Sequence, residues 1–172
     1  MSNKSDERFN RYYFRGRTTV VVDQADPNDF KVGFAFCSPL DSVDKKRGRK
    51  IANARISKRP FPIPRTLVKE QKGLYRAMAY ILQGLFAKTN ETIHKDNAEA
   101  IKANIKNLSQ MAPASLDKDA VLDFAEAKIE KQIREAVYSS LHQSLHMPYW
   151  FLREMLRVPV IRQKNVNLGG AK

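Results

Sequence analysis

Two segments near the start of the chain carry the β-branched and aromatic pattern of strands. The first, at positions 8–22, reads RFNRYYFRGRTTVVV, and the second, at 31–37, reads KVGFAFC, with alternate apolar residues on one side. Turn-forming residues at 23–29 (DQADPND) separate the two. The pattern therefore predicts an antiparallel β-hairpin, whose apolar face must pack on helices because an isolated hairpin is only marginally stable in water.

Helical spacing of apolar residues dominates the rest of the chain. A basic helix is expected from a cap at Asp41 or Ser42 to about Ser57, and the prolines of RPFPIP then predict an extended connector. Further on, the spacing predicts a helix of roughly 30 residues before Pro148 and a short amphipathic one, YWFLREMLR, after it. We therefore predict an α+β fold, with an N-terminal β-hairpin packed on a mainly α-helical body of four to five helices.

The length and composition are those of one globular domain. The chain has 172 residues and is 42% hydrophobic, which is enough to build a core. We expect a single domain over 1–172. Its parts are a basic hairpin-plus-helix part at 1–59, a Pro-rich connector at 60–64, a helical part at 65–160 and a flexible tail at 161–172.

Cysteine usage and hydropathy favour a cytoplasmic protein. Cys37 is the single cysteine, so no internal disulfide can form, and the residues after Met1 lack the apolar stretch of a signal peptide. The apolar runs are far shorter than the ~20 residues that a membrane span needs. We predict a cytoplasmic chain without a membrane span, and the sequence leaves its oligomeric state open.

Positive charge is concentrated in one short segment. The formal net charge is +13, and the segment DKKRGRKIANARISKRP at 44–60 contains one acid, Asp44. A surface of one sign repels itself unless an anion neutralises it, so the segment indicates a polyanion, with DNA or RNA as the favoured partner. On a helix, Lys46, Arg49 and Lys50 share a face. The candidate nucleic-acid-binding residues here are Lys45, Lys46, Arg47, Arg49, Lys50, Arg55, Lys58 and Arg59.

The first predicted strand alternates aromatic residues with cations. Arg11, Tyr13 and Arg15 are secondary nucleic-acid-binding candidates, because such a strand can stack unpaired bases while it holds their phosphates. The alternative is that one alternating set packs into the core. Contacts to phosphate fix position and do not read sequence, so we expect non-enzymatic binding with little sequence specificity.

Two other functions stay open. The basic face could instead bind an acidic protein, as in an inhibitor of a host nucleic-acid enzyme. Tyr149, Trp150 and Phe151 form the best candidate partner-binding cluster, although the same residues could close a helical core.

The second alternative is a metal-dependent nuclease. Asp44 precedes Lys46 in an Asp-x-Lys pattern, and the loop acids Asp23, Asp26 and Asp29 could hold Mg²⁺. His142 and His146 also have metal-ligand spacing, but HQSLH lacks the Glu of a zinc-protease helix. We assign no catalytic residue, metal site or cofactor, and the sequence favours a protein that is not an enzyme.

The segment KVGFAFCSPLDSVDKKRGRKIANAR, at 31–55, resembles small uncharacterised basic proteins of phages and mobile elements. The shared pattern is a strand that ends in Cys-Ser-Pro, an acid two residues later, and a basic helix with Gly-Arg-Lys-Ile-Ala. The resemblance implies an origin in a phage or mobile element and implies no activity or functional residues.

Overall fold

The structure, a computed structural model, describes residues 11–162 and confirms the α+β class. Within this range the chain forms a four-stranded sheet and six helices. In chain order these are β1 (Arg11–Arg15), β2 (Thr18–Asp23), β3 (Asp29–Phe36), α1 (Lys45–Lys58), β4 (Phe61–Pro64), α2 (Arg65–Glu70), α3 (Leu74–Asp96), α4 (Ala98–Gln110), α5 (Lys118–Leu145) and α6 (Tyr149–Arg157).

The sheet is an antiparallel meander in the order β1-β2-β3-β4. The segment predicted as one strand at 8–22 contains two, because Gly16 adopts φ +57° in the two-residue turn that joins Arg15 to its partner Thr18. Glycine is favoured at this first turn position, where positive φ is needed. The first of the two predicted strands is therefore itself a hairpin, and β1 lies at an edge of the sheet.

The prolines at 62 and 64 lie in the opposite edge strand, β4. The segment is extended, as expected of the connector, and it also pairs with β3, with Ile63 opposite Phe30. Proline is tolerated at an edge because the missing N–H removes no hydrogen bond from a central ladder. Ile63 is fully buried, so this short strand contributes to the core.

Helix α1 packs on one face of the sheet. Val21 and Ala35 on the strands form a buried cluster with Ala52 and Ile56 on the helix, and Tyr12 packs at its margin. The helix begins three residues later than predicted at the earliest cap: the Asp44 carboxylate accepts a hydrogen bond from the backbone N–H of Arg47 at 3.1 Å. Asp44 is therefore the N-cap, and Asp41 and Ser42 lie in the preceding loop.

The chain divides into two compact units, and the division falls within α3. Of the described residues, one unit contains 11–80 and 158–162, and the other is Ile81–Arg157. In the second unit, α5 confirms the predicted long helix. Its buried residues follow helical spacing and include Ala125, Ile129, Ile133, Val137 and Leu141.

The segment after α6 belongs to the first unit. The buried side chain of Gln71 donates a hydrogen bond to the carbonyl of Ile161 at 2.6 Å and accepts one from its N–H at 2.7 Å. The rest of the predicted tail, at 163–172, lies outside the described residues. Among the described helices, none combines the length and the hydropathy that a membrane span requires.

Candidate nucleic-acid interface

Two glycines bring α1 close to the sheet. A Cβ on Gly48 of the helix would lie 2.5 Å from Oγ1 of Thr19 on β2, and a Cβ on Gly33 of β3 would meet the backbone of Ala52. Gly48 lowers helix propensity by about 1 kcal/mol relative to alanine, and the close approach explains why the position holds glycine. Since Gly48, Ala52 and Ile56 face the sheet, Lys46 and Lys50 face away from it.

Seven of the eight predicted cations on this segment are exposed. They are Lys45, Lys46, Arg47, Arg49, Lys50, Lys58 and Arg59. Within residues 11–162, no carboxylate forms a hydrogen bond or ion pair with the outward-facing Lys46 or Lys50. The acid that precedes the helix, Asp44, is engaged by the backbone of Arg47. The outward face of the helix therefore presents positive charge without an acidic partner in the described part of the chain.

Arg55 differs from the other cations because it holds the helix on the sheet. Its side chain is half-buried, and Nη1 donates a hydrogen bond to the carbonyl oxygen of Phe34 at 3.0 Å. Burial, followed by the charge of Arg59, lowers the pKa of Arg55. Arginine remains protonated at neutral pH even so. This predicted binding residue is a positioning residue for α1.

Arg17 fixes the loop that leads into α1. Its Nη1 donates to the carbonyls of Ser38 and Asp41 at 2.8 and 2.5 Å, and it lies 3.6 Å from Sγ of Cys37. The amino-acid sequence gives no sign of this role, because Arg17 lies in the Gly16 turn and the loop is about 20 residues further along. The contact connects the sheet to the start of the basic helix.

Two aromatic residues of β1 lie beside α1. Cζ of Arg49 lies 5.6 Å from the ring centroid of Tyr12, and Nζ of Lys45 lies 5.5 Å from that of Phe14. Asn53 donates a hydrogen bond to the Tyr12 hydroxyl at 3.4 Å. The helix positions are four residues apart, so Lys45, Arg49 and Asn53 form one row along the edge strand. We call Tyr12 and Phe14 the aromatic edge.

The secondary candidates on β1 lie elsewhere. Tyr13 and Arg15 alternate with the aromatic edge and so lie on the opposite face of the sheet, where Cζ of Arg15 is 3.8 Å from the ring centroid of Tyr75. Arg11 is paired with Val22 in the sheet register. The structure thus brings Tyr12 and Phe14 to the basic helix, and it does not bring Tyr13 and Arg15 there.

The net charge of the sequence follows the division into units. Positions 81–157 contain 10 Lys or Arg and 10 Asp or Glu, whereas the remaining positions contain 21 and 8. The whole formal charge of +13 therefore comes from the positions outside 81–157, which include α1 and the sheet. Its positive potential would attract an anionic ligand over a longer range than the contacts themselves.

Two of the three loop acids of the nuclease alternative, Asp23 and Asp26, accept backbone hydrogen bonds within the turn. The carboxylate of Asp26 accepts hydrogen bonds from the N–H groups of Asn28 and Asp29, which lower its pKa, and that of Asp23 accepts one from Ala25. Within residues 11–162, no three His, Cys, Asp or Glu side chains form a group that could hold a metal ion. His142 contacts the carbonyl of Met147 at 2.8 Å and stacks on Tyr149.

The proposed partner-binding cluster on α6 is only partly accessible. Phe151 is 1% exposed, so its side chain is buried and is not presented to a partner. Tyr149 and Trp150 are half-buried. The ring centroid of Tyr149 lies 6.3 Å from that of Tyr138 and 5.9 Å from Cζ of Arg153. The surface available on this helix is therefore smaller than the aromatic run in the sequence suggests.

Comparisons of the chain with protein-family models, with curated proteins and with solved structures find no match.

Proposed function

We propose that this protein is a non-enzymatic nucleic-acid-binding protein that holds the phosphate backbone on α1 with little sequence specificity. The observation that carries the proposal is a set of seven exposed cations, six on α1 and one at its C-cap, Arg59. Within residues 11–162, no carboxylate pairs with Lys46 or Lys50 on the outward face of the helix. Lys and Arg are the usual donors to phosphate oxygens, and their contacts carry no direct sequence information.

The attachment of α1 to the sheet supports this proposal. The close approaches at Gly33 and Gly48 and the hydrogen bond from Arg55 to Phe34 fix the helix in one position. A row of cations on a fixed helix loses less conformational entropy when it binds nucleic acid than the same cations on a flexible tail would lose. If each of the seven exposed cations met one phosphate, log K would fall with log salt with a slope of about −6 on duplex DNA.

Fluorescence anisotropy with labelled DNA and RNA across a salt series tests the proposal. The variant replaces Lys46, Arg49 and Lys50 by alanine. The control replaces Lys102, Lys106 and Lys131 by alanine, which removes the same charge from exposed positions of Ile81–Arg157. We expect the first variant to bind more weakly and to lose about 3 from the magnitude of the salt slope, while the control keeps both.

Thermal unfolding followed by circular dichroism shows whether both variants are folded. If the two variants bind nucleic acid with equal affinity, the binding site is not on α1. If the wild-type protein binds no nucleic acid at low salt, the proposal is rejected, and an acidic protein becomes the partner to seek for the same face.

A further inference from the structure

We infer that the site takes single-stranded nucleic acid, whose unpaired bases stack on the aromatic edge while α1 holds the phosphates. This inference rests on the proposed function and specifies its ligand. It depends on the register of β1, which places Tyr12 and Phe14 on the same face of the sheet as the basic helix. The sequence alone did not show which of the two alternating sets of β1 lies there.

Within the described part of the chain, the position of α1 leaves the aromatic edge accessible. The helix lies over β2 and β3, where Gly48 approaches Thr19 and Gly33 approaches Ala52. Strand β1 is at the edge of the sheet, and among residues 11–162 no further strand flanks it on its outer side. The aromatic residues are therefore beside the helix and not beneath it.

Phe14 is the stronger stacking candidate of the two. Its side chain is 37% exposed, and within the described residues the ammonium group of Lys45 lies over its ring. At 5.5 Å from the centroid, the ammonium group covers this ring loosely, whereas Arg15 lies 3.8 Å from the ring centroid of Tyr75. A phenyl ring has no hydrogen-bonding group, so a flat base offers it a favourable contact that water does not.

The cations beside the rings suit the rest of a nucleotide. Lys45 lies next to Phe14 and Arg49 next to Tyr12, so a phosphate donor accompanies each ring. Both cations are exposed and can turn from the ring to a phosphate when a base arrives. Tyr12 is half-buried and is held by Asn53, which makes it a less accessible but better fixed ring.

This geometry discriminates between single and double strands. In a duplex the base faces are stacked on one another, so a duplex offers α1 its phosphates and offers the aromatic edge nothing. An unpaired base gains about five- to 150-fold in affinity from a stacking partner. Single strands should therefore bind more tightly than duplex of equal length, even though their lower charge density gives a shallower salt dependence.

The decisive experiment compares Phe14→Ala with Tyr13→Ala. Tyr13 is the neighbouring residue on the same strand and is 40% exposed, but it lies on the other face of the sheet. Anisotropy titrations use a labelled single strand, its duplex, and the same strand with abasic sites. We expect Phe14→Ala to weaken single-strand binding about five-fold or more and duplex binding less than about two-fold, with Tyr13→Ala unchanged on all three ligands.

The abasic strand isolates the stacking contribution because it keeps the phosphates and lacks bases. On this ligand, Phe14→Ala should bind as well as the wild type. Phe14→Leu keeps the apolar bulk of the side chain but removes the ring, so it should lose single-strand affinity without loss of stability. An equal loss with Phe14→Ala and Tyr13→Ala would indicate damage to the strand and would overturn the inference.

The outcomes also separate this inference from the proposed function. If wild-type protein binds duplex as tightly as single strands, and Phe14→Ala binds both normally, the stacking inference is wrong while nucleic-acid binding by α1 stands. If the wild type binds none of the three ligands, the proposed function fails and the inference fails with it.

Discussion

Gly33 on β3 lies directly against the backbone of Ala52 in α1. A Cβ built on Gly33 would overlap the carbonyl oxygen of Ala52 and would lie 2.6 Å from Cγ1 and 3.1 Å from the N atom of Ile56. A backbone carbonyl cannot turn aside as the end of a long side chain can. The position of the whole basic helix on the sheet therefore depends on the absence of a side chain at position 33.

Gly33→Ala should destabilise the protein by about 1–3 kcal/mol, because the added methyl group forces α1 away from a packed interface. Urea unfolding followed by circular dichroism measures the change. Gly84→Ala is the matched control: Gly84 is exposed in the middle of α3, and its Cβ would meet nothing within 4 Å. The control should gain up to about 1 kcal/mol from improved helix propensity. If the two variants were equally stable, α1 would not pack against Gly33 as closely as the structure shows.

The sequence predicted the helices better than the sheet, for a physical reason. A long helix repeats its apolar residues many times, so α5 was recognisable from its spacing. The turn at Gly16 interrupts a run of strand-forming residues at a single glycine, and β4 is four residues long with two prolines. Pairing with β3 makes β4 a strand, and that partner lies about 30 residues away in the chain.

The candidate site could also be predicted only in part, because one of its two components depends on strand pairing. The basic helix could be identified from the sequence, because its lysine and arginine residues are close together along the chain and do not depend on the fold to be neighbours. The side of β1 that faces α1 depends on its register with β2, which pairs Tyr12 with Val21. A shift by one residue would place Tyr13 there instead. The sequence offered Arg11, Tyr13 and Arg15 as secondary candidates, and the register instead brings Tyr12 and Phe14 beside the helix.

Arg55 and Lys50 should show opposite effects although both are cations of α1. Arg55→Met keeps an apolar stem but loses the hydrogen bond to the Phe34 carbonyl, so we expect a loss of about 1 kcal/mol in stability with little change in the salt slope. Lys50 is exposed, and Lys50→Met should keep the stability and reduce the magnitude of the salt slope by about 1. Unfolding curves and salt-dependent anisotropy measure both quantities. A steeper loss of salt dependence in Arg55→Met than in Lys50→Met would assign Arg55 to the binding face.

Substitutions at Asp44 distinguish non-enzymatic binding from nuclease activity, because the two hypotheses give this carboxylate different roles. Its carboxylate caps α1, so Asp44→Ala should cost about 1 kcal/mol of stability, whereas Asp44→Ser retains a capping oxygen and should cost little. Both changes remove the acid next to the basic helix, and both should strengthen nucleic-acid binding at low salt because a repelling charge is lost. Thermal unfolding and anisotropy test the two expectations together. Mg²⁺-dependent cleavage by the wild type that both variants lose would instead support a catalytic Asp44, and it would overturn the non-enzymatic proposal.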